Sequence, residues 1–212
     1  MSPIFEFLFG QYSGYANIDI VLELIGILFG LLSVWYAKKN TVWVYPTGMI
    51  STAIFVYLLF KWALLGDMII NAYYFVMSVY GWHYWSKKKE EVIVHPITST
   101  SKKEVKTAVL LFVASILFVF WVYQAFDKWR DWTAYVDTLT TAIFFVGMGL
   151  MARRKIEHWL FWIVGDIISI PLYFYKGLTL TSFQYIIFTL IAIYGYRSWK
   201  KILDKSPPLS LG

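Results

Sequence analysis

Seven times along its 212 residues the chain runs through about 17 to 21 residues that are almost uncharged, and nothing else in the sequence limits its fold so severely. An α-helix rises about 1.5 Å per residue, so about 20 residues cross the ~30 Å of hydrocarbon in a bilayer. The stretches fall at about 20–36, 43–60, 65–85, 106–124, 134–151, 158–175 and 180–199. In lipid, backbone N–H and C=O groups must be satisfied within the segment, which makes each stretch a helix. Composition agrees: 15% of the residues are charged and the mean hydropathy is +0.59. Soluble domains hold about 25% charged residues. The predicted class is an all-α integral membrane protein with seven transmembrane helices.

The net charge of +6 does not point to nucleic acid, because the cations are sorted by loop. With the N-terminus and alternate loops on one side, that side collects Lys61, Lys128, Arg130 and Lys176. The other 15 cations, among them Lys38, Lys39, Lys87, Lys102, Arg153, Arg154, Lys155 and Lys200, fall on the opposite side. By the positive-inside bias the N-terminus faces outward and the C-terminus is cytoplasmic. A bacterial inner (plasma) membrane is the expected location, with the lipid bilayer as the chief partner. The opening "MSPIFEFLFG" lacks the basic region of a signal peptide and reads as an interfacial segment.

The sequence also repeats. "YGWHYWSKK" from Tyr80 and "YGYRSWKK" from Tyr194 stand 114 residues apart, the same offset carries Glu23 onto Asp137, and "AKKNTVW" (Ala37–Trp43) answers "ARRKIEHW" (Ala152–Trp159). Spans one to three thus resemble spans five to seven, with span four as a lone connector. One helix between two triplets makes both triplets cross in the same direction, a 3+1+3 parallel repeat. Such architectures place substrate between the repeats near the midplane. The expected organisation is an N-terminal interfacial segment (1–18), a first three-helix repeat (19–86), a charged loop and connector helix (87–133), a second repeat (134–201) and a tail (202–212).

Two polar and aromatic stripes run at helical spacing: Trp159, Trp162, Asp166, Ser169 and Tyr173 on span six, and Asp67, Asn71, Tyr74, Ser78 and Trp82 on span three. Polar stripes inside lipid turn toward protein or water. Asp166 is the sharpest of these groups, a short acid at midplane depth that cannot reach the interface. An unpaired carboxylate there costs roughly 2.5–3.5 kcal/mol on insertion scales. Glu23 and Asp67 stand near the outer boundary, as does Asp19. Gly26 and Gly30 read as helix-packing residues. Trp43, Trp62, Trp85 and Trp199 read as interfacial anchors. His83, His95 and His158 share no spacing, and no metal or cofactor is expected.

The segments "LGDMIINAYYFVMSVYGWHYW", "ARRKIEHWLFWIVGDIISIPLYFYKGL" and "YIIFTLIAIYGYRSWKK" resemble the PnuC family of vitamin transporters, whose fold is similar to that of the SWEET sugar transporters. The resemblance implies passive uptake of a cationic B-vitamin precursor, nicotinamide riboside, or thiamine in a related branch, trapped inside by a cytoplasmic kinase. It leaves room for a homo-oligomer. It also implies Asn where Asp166 stands, Gln where Asn71 stands and Asn where Ser51 stands in riboside carriers. A pyridinium or thiazolium ring is attracted to aromatic faces by roughly 0.5–2 kcal/mol. An acid among those faces favours it further. Asp166 is therefore the expected counter-charge, with Trp162, Tyr74, Ser169, Tyr173, Glu23 and Asp67 around the substrate, and Asn71, Ser51 or Gln184 holding its hydroxyls.

Other classes fit less well. An enzyme needs a nucleophile with a base or a metal cluster, the chain has no cysteine, and no histidine falls at membrane depth. A retinal protein needs a lysine within the last span, and 180–196 has none. No phosphate-binding G-x-x-x-x-G-K-[ST] loop supports an ATP-driven pump. Proton-coupled vitamin uptake through Asp166 stands as the alternative to passive transport.

Overall fold

The computed structural model describes residues 16–62, 65–89, 92–93, 95–127, 129, 131–176 and 179–205. Most of the interfacial segment 1–18 and of the tail 202–212 lies outside the described residues, as do Lys128 and Arg130. Seven helices match the seven expected spans: α1 (Asn17–Lys38), α2 (Val44–Lys61), α3 (Leu65–Ser86), α4 (Lys102–Ala125), α5 (Thr133–Ala152), α6 (His158–Tyr175) and α7 (Thr179–Lys205). The largest differences are at polar ends. Helix α4 starts early because Ser101 and Glu104 form a capping box, with Glu104 Oε2 accepting from the Ser101 N–H at 2.9 Å. Between α3 and α4 lies a short antiparallel ribbon, β1 (Lys88–Lys89) with β2 (Val92–Ile93), which sequence reading did not anticipate.

Successive helices pack in pairs within each triplet, and two further contacts, α1 with α7 and α3 with α5, join the triplets into a ring of six. Helix α4 lies outside this ring against α5. Helix α1 starts on what is here termed the N-terminal face, and α7 ends on the opposite, C-terminal face. The outer surface is apolar: Leu110 is 70% exposed, Phe60 65% and Trp121 65%. Helices α1, α2, α4 and α5 are each long and apolar enough to cross a membrane. Water does not solvate such a surface well, and lipid does.

The repeat seen in the sequence is repeated in atomic detail. Asn40 and Arg154, 114 residues apart, both take left-handed backbone (φ 52° and 54°) at the ends of α1 and α5. The turns around them make matching bonds, Thr41 N–H to Tyr36 O at 3.1 Å and Lys155 N–H to Leu150 O at 3.0 Å. Gly81 and Gly195 are matched too: a Cβ on either would lie 2.3 Å from Tyr45 or 2.6 Å from Trp159. Each glycine lets a neighbouring ring lie against the helix backbone.

Trp85 and Trp199 are not interfacial anchors. They are 3% and 0% exposed and belong to a core on the C-terminal face with Tyr45, Trp159, Met148 and Met151. The Trp85 indole N–H donates to Met151 O at 3.3 Å, and that of Trp199 to Ala37 O at 2.9 Å. Donors and acceptors are both related by the 114-residue offset. A helix end leaves its last carbonyls without intrahelical partners, and here the opposite repeat supplies the donors. Trp43, by contrast, is 60% exposed.

On the same face, His95–Ser101 docks along the α5–α6 turn. Thr98 N–H donates to Arg154 O at 3.1 Å, Ile156 N–H to Thr98 O at 3.0 Å, and Thr100 N–H to Glu157 at 3.0 Å. Arg154 is buried beneath this strap, donating to His95 O at 2.8 Å with its guanidinium 4.2 Å from the Trp85 ring centroid. These contacts offset its left-handed backbone, which costs a non-glycine residue about 1–2 kcal/mol.

Candidate substrate-binding site

Inside the ring lie two chambers. The inner one is a cavity of about 200 Å³ lined by residues from both repeats. Six pairs of its lining residues are 114 positions apart: Val34 and Met148, Ala37 and Met151, Gly48 and Trp162, Thr52 and Asp166, Tyr74 and Phe188, Ser78 and Ala192. The cavity therefore sits on the pseudo-two-fold axis between the repeats. Several of these pairs are unequal. The first repeat gives Gly48, Thr52 and Ser78, while the second gives Trp162 and Asp166, so the walls are small and hydroxylated on one side, aromatic and acidic on the other.

Asp166 is 2% exposed, lines this cavity, and accepts no hydrogen bond and meets no cation among the described residues. Two acids nearer the N-terminal face are handled differently. Asp19 takes both carboxylate contacts from Lys61 at 2.7 Å, and Asp137 is paired with Lys176. These pairs tie α1 to α2 and α5 to α6 at the N-terminal face, each within its own repeat.

The outer chamber, about 650 Å³, lies toward the N-terminal face and is lined by Glu23, Asn71, Tyr173 and Gln184 among others, with Tyr74 common to both chambers. An aromatic layer separates the two. Phe144 stacks on Trp162 (centroids 5.3 Å apart) and on Tyr185 (6.1 Å), and Tyr185 stacks on Tyr173 (5.1 Å). Phe144 reaches α6 because residue 165 is glycine, where a Cβ would lie 2.3 Å from the ring.

The expected site residues thus divide between levels. Asp166, Trp162, Tyr74 and Ser51 line the inner cavity, and Glu23, Asn71, Tyr173 and Gln184 the outer chamber. The Ser51 hydroxyl is already committed, donating to Gly26 O at 2.7 Å, so it serves α1–α2 packing as well as the cavity wall. Ser169 is fully buried and lines neither chamber. The Asp67 side chain lies outside the described residues, and Trp82, the end of its stripe, is 45% exposed and turned away from the ring. Sequence reasoning missed Phe144, Gly165 and Thr52. The repeat offset applied to Asp166 leads directly to Thr52.

The profile of one family, described as nicotinamide mononucleotide transporter, matches residues 20–201. The chain belongs to this transporter family. As a family member it is similar to the nicotinamide riboside transporter PnuC of Escherichia coli, 24% identical over 208 residues with 84% of each chain covered. PnuC of Haemophilus influenzae is 27% identical, over 94% of this chain and 88% of the relative. The riboflavin/roseoflavin transporter RibM of Streptomyces davaonensis is 23% identical, over 84% and 83%. A crystal structure of the vitamin B3 transporter PnuC shares the fold with a TM-score of 0.67, covering 93% of this chain and 96% of that one at 20% identity. The PnuC resemblance read from the motifs holds, and the protein is a membrane transporter rather than an enzyme.

Proposed function

We propose that the chain carries nicotinamide riboside across a bacterial inner membrane by facilitated diffusion, with Asp166 as the counter-charge of the pyridinium ring. The observation that carries this reading is a buried carboxylate, without a partner among the described residues, in an aromatic cavity on the repeat axis. A cation bound there offsets the carboxylate's desolvation, and the Trp162 and Tyr74 faces favour the same charge. Riboside carriers among the relatives favour this vitamin over thiamine. Ribose hydroxyls fit the hydroxyl-bearing wall at Thr52 and Ser78, or the amides of Asn71 and Gln184 one level further out.

Residues 19–86 and 134–201 act as the two moving units, with 87–133 as connector. The N-terminus lies outside, so the outer chamber receives substrate and the C-terminal face is the cytoplasmic gate. That gate is held by the two indole-to-carbonyl bonds, each worth about 0.5–1.5 kcal/mol net. Opposed openings separated by a few kcal/mol are what a passive carrier needs. Phosphorylation by a cytoplasmic kinase then prevents return.

The test is purified protein in vesicles without nucleotide or ion gradient, given labelled nicotinamide riboside. Saturable equilibration and exchange are expected. Failure to bind the riboside, or uptake only under an imposed proton gradient, overturns the proposal.

A further inference from the structure

Outside the six-helix ring, α3 and α4 touch only briefly and leave a crevice of about 420 Å³ whose floor is α5. Its lining changes along the membrane normal. Toward the midplane it is Met77, Ala108, Leu111 and Val146; at the C-terminal face it is Tyr80, Thr107, Glu104, Arg153 and Lys155. The one acid there is already neutralised, with Lys155 Nζ 2.8 Å from Glu104 and also donating to Thr98 Oγ1 at 2.9 Å. Arg153 is exposed, and its side chain makes no hydrogen bond or ion pair among the described residues. Lys103 and Lys106, on the first turns of α4, are exposed at the same end of that helix. Among the described residues, the crevice therefore ends in uncompensated positive charge at the level where headgroups lie.

We propose that this crevice is a binding site for one anionic phospholipid, its phosphate against Arg153 and an acyl chain along Met77, Ala108, Leu111 and Val146. An unfilled groove in hydrocarbon forfeits dispersion contacts along both walls, and a flexible chain restores them. A guanidinium takes two phosphate oxygens in a fork, a geometry that an ammonium lacks. Basic pockets between transmembrane helices select anionic headgroups. Zwitterionic lipids would set their own cation against Arg153. The lipid would brace α3 against α4, a pair that the protein itself barely joins.

Native mass spectrometry of the detergent-purified full chain, titrated with phosphatidylglycerol, phosphatidylethanolamine or phosphatidylcholine, tests the site. Phosphatidylglycerol should be retained preferentially and should raise the melting temperature. In Arg153→Gln that preference should fall by about tenfold, the scale of one lost charge-assisted contact, with melting in detergent alone unchanged. Ala108→Phe, which fills the crevice, should lose retention of all three lipids. Equal retention of the three by the unaltered protein, or undiminished preference in Arg153→Gln, overturns the proposal. So does Ala108→Phe breaking an oligomer while lipid retention stays the same, since the crevice is then a contact between copies.

Discussion

At the scale of single residues, Asp166 and Thr52 make the sharpest contrast. They occupy equivalent positions on α6 and α2, yet only one is ionisable. Asp166→Asn keeps the shape and removes the charge, so its effect should depend on the ligand's charge. Nicotinamide riboside should lose its advantage over its uncharged dihydro form by about 1.5–3 kcal/mol, or roughly 10- to 150-fold in relative affinity. Isothermal titration with both ligands reads that ratio, and an unchanged ratio removes Asp166 from the site. The acid was legible in the sequence because a short polar side chain at midplane depth has few explanations. Thr52 was not, since a lone threonine in a helix commonly bonds its own backbone, as this one does to Gly48 O at 2.9 Å.

At the scale of helices, the matched glycines govern packing. Gly81 faces Tyr45 and Gly195 faces Trp159, and both rings are buried, at 0% and 1% exposure, with little room to swing away. Gly195→Ala should therefore destabilise the protein by about 1–3 kcal/mol, the usual cost of overpacking. Gly81→Ala should behave alike. Thermal unfolding in detergent checks both, and an unchanged midpoint would mean that the rings shift freely. Helix positions were readable because span length is set by the bilayer. The fates of Trp85 and Trp199 were not, because a tryptophan at a span end serves equally as an interfacial anchor or as a plug, and only the ring of helices decides which. The His95–Ser101 strap was also invisible, since loop-to-loop backbone bonds leave no periodic trace.

At the scale of the molecule, the two faces are built differently. On the C-terminal face the indole bonds cross between repeats; on the N-terminal face the ion pairs Asp19–Lys61 and Asp137–Lys176 stay within them. Trp85→Phe keeps a ring but loses one crossing bond. Reactivity of a cysteine at Ser78 toward a reagent on the C-terminal side should then rise by about 2- to 12-fold, the range set by 0.5–1.5 kcal/mol. No rise would place the gate elsewhere. Orientation has its own test in intact cells. A cysteine at Asp127 should react with an impermeant external reagent and one at Lys87 should not, and the reverse pattern would invert the topology.

The crossing bonds also bear on ancestry. The donor Trp85 and the acceptor Ala37 both lie within the first three helices, so one copy of that unit already contains both halves of the contact that binds it to its partner. Two identical copies could have paired by the same rule, each indole reaching the other's carbonyl. The present chain has the form of such a homodimer after gene duplication, with α4 as the splice that lets two like-oriented copies share one polypeptide. Fusion freed the halves to diverge. One now has glycine at 48 and threonine at 52 and the other tryptophan at 162 and aspartate at 166, so a symmetric frame encloses an asymmetric cavity.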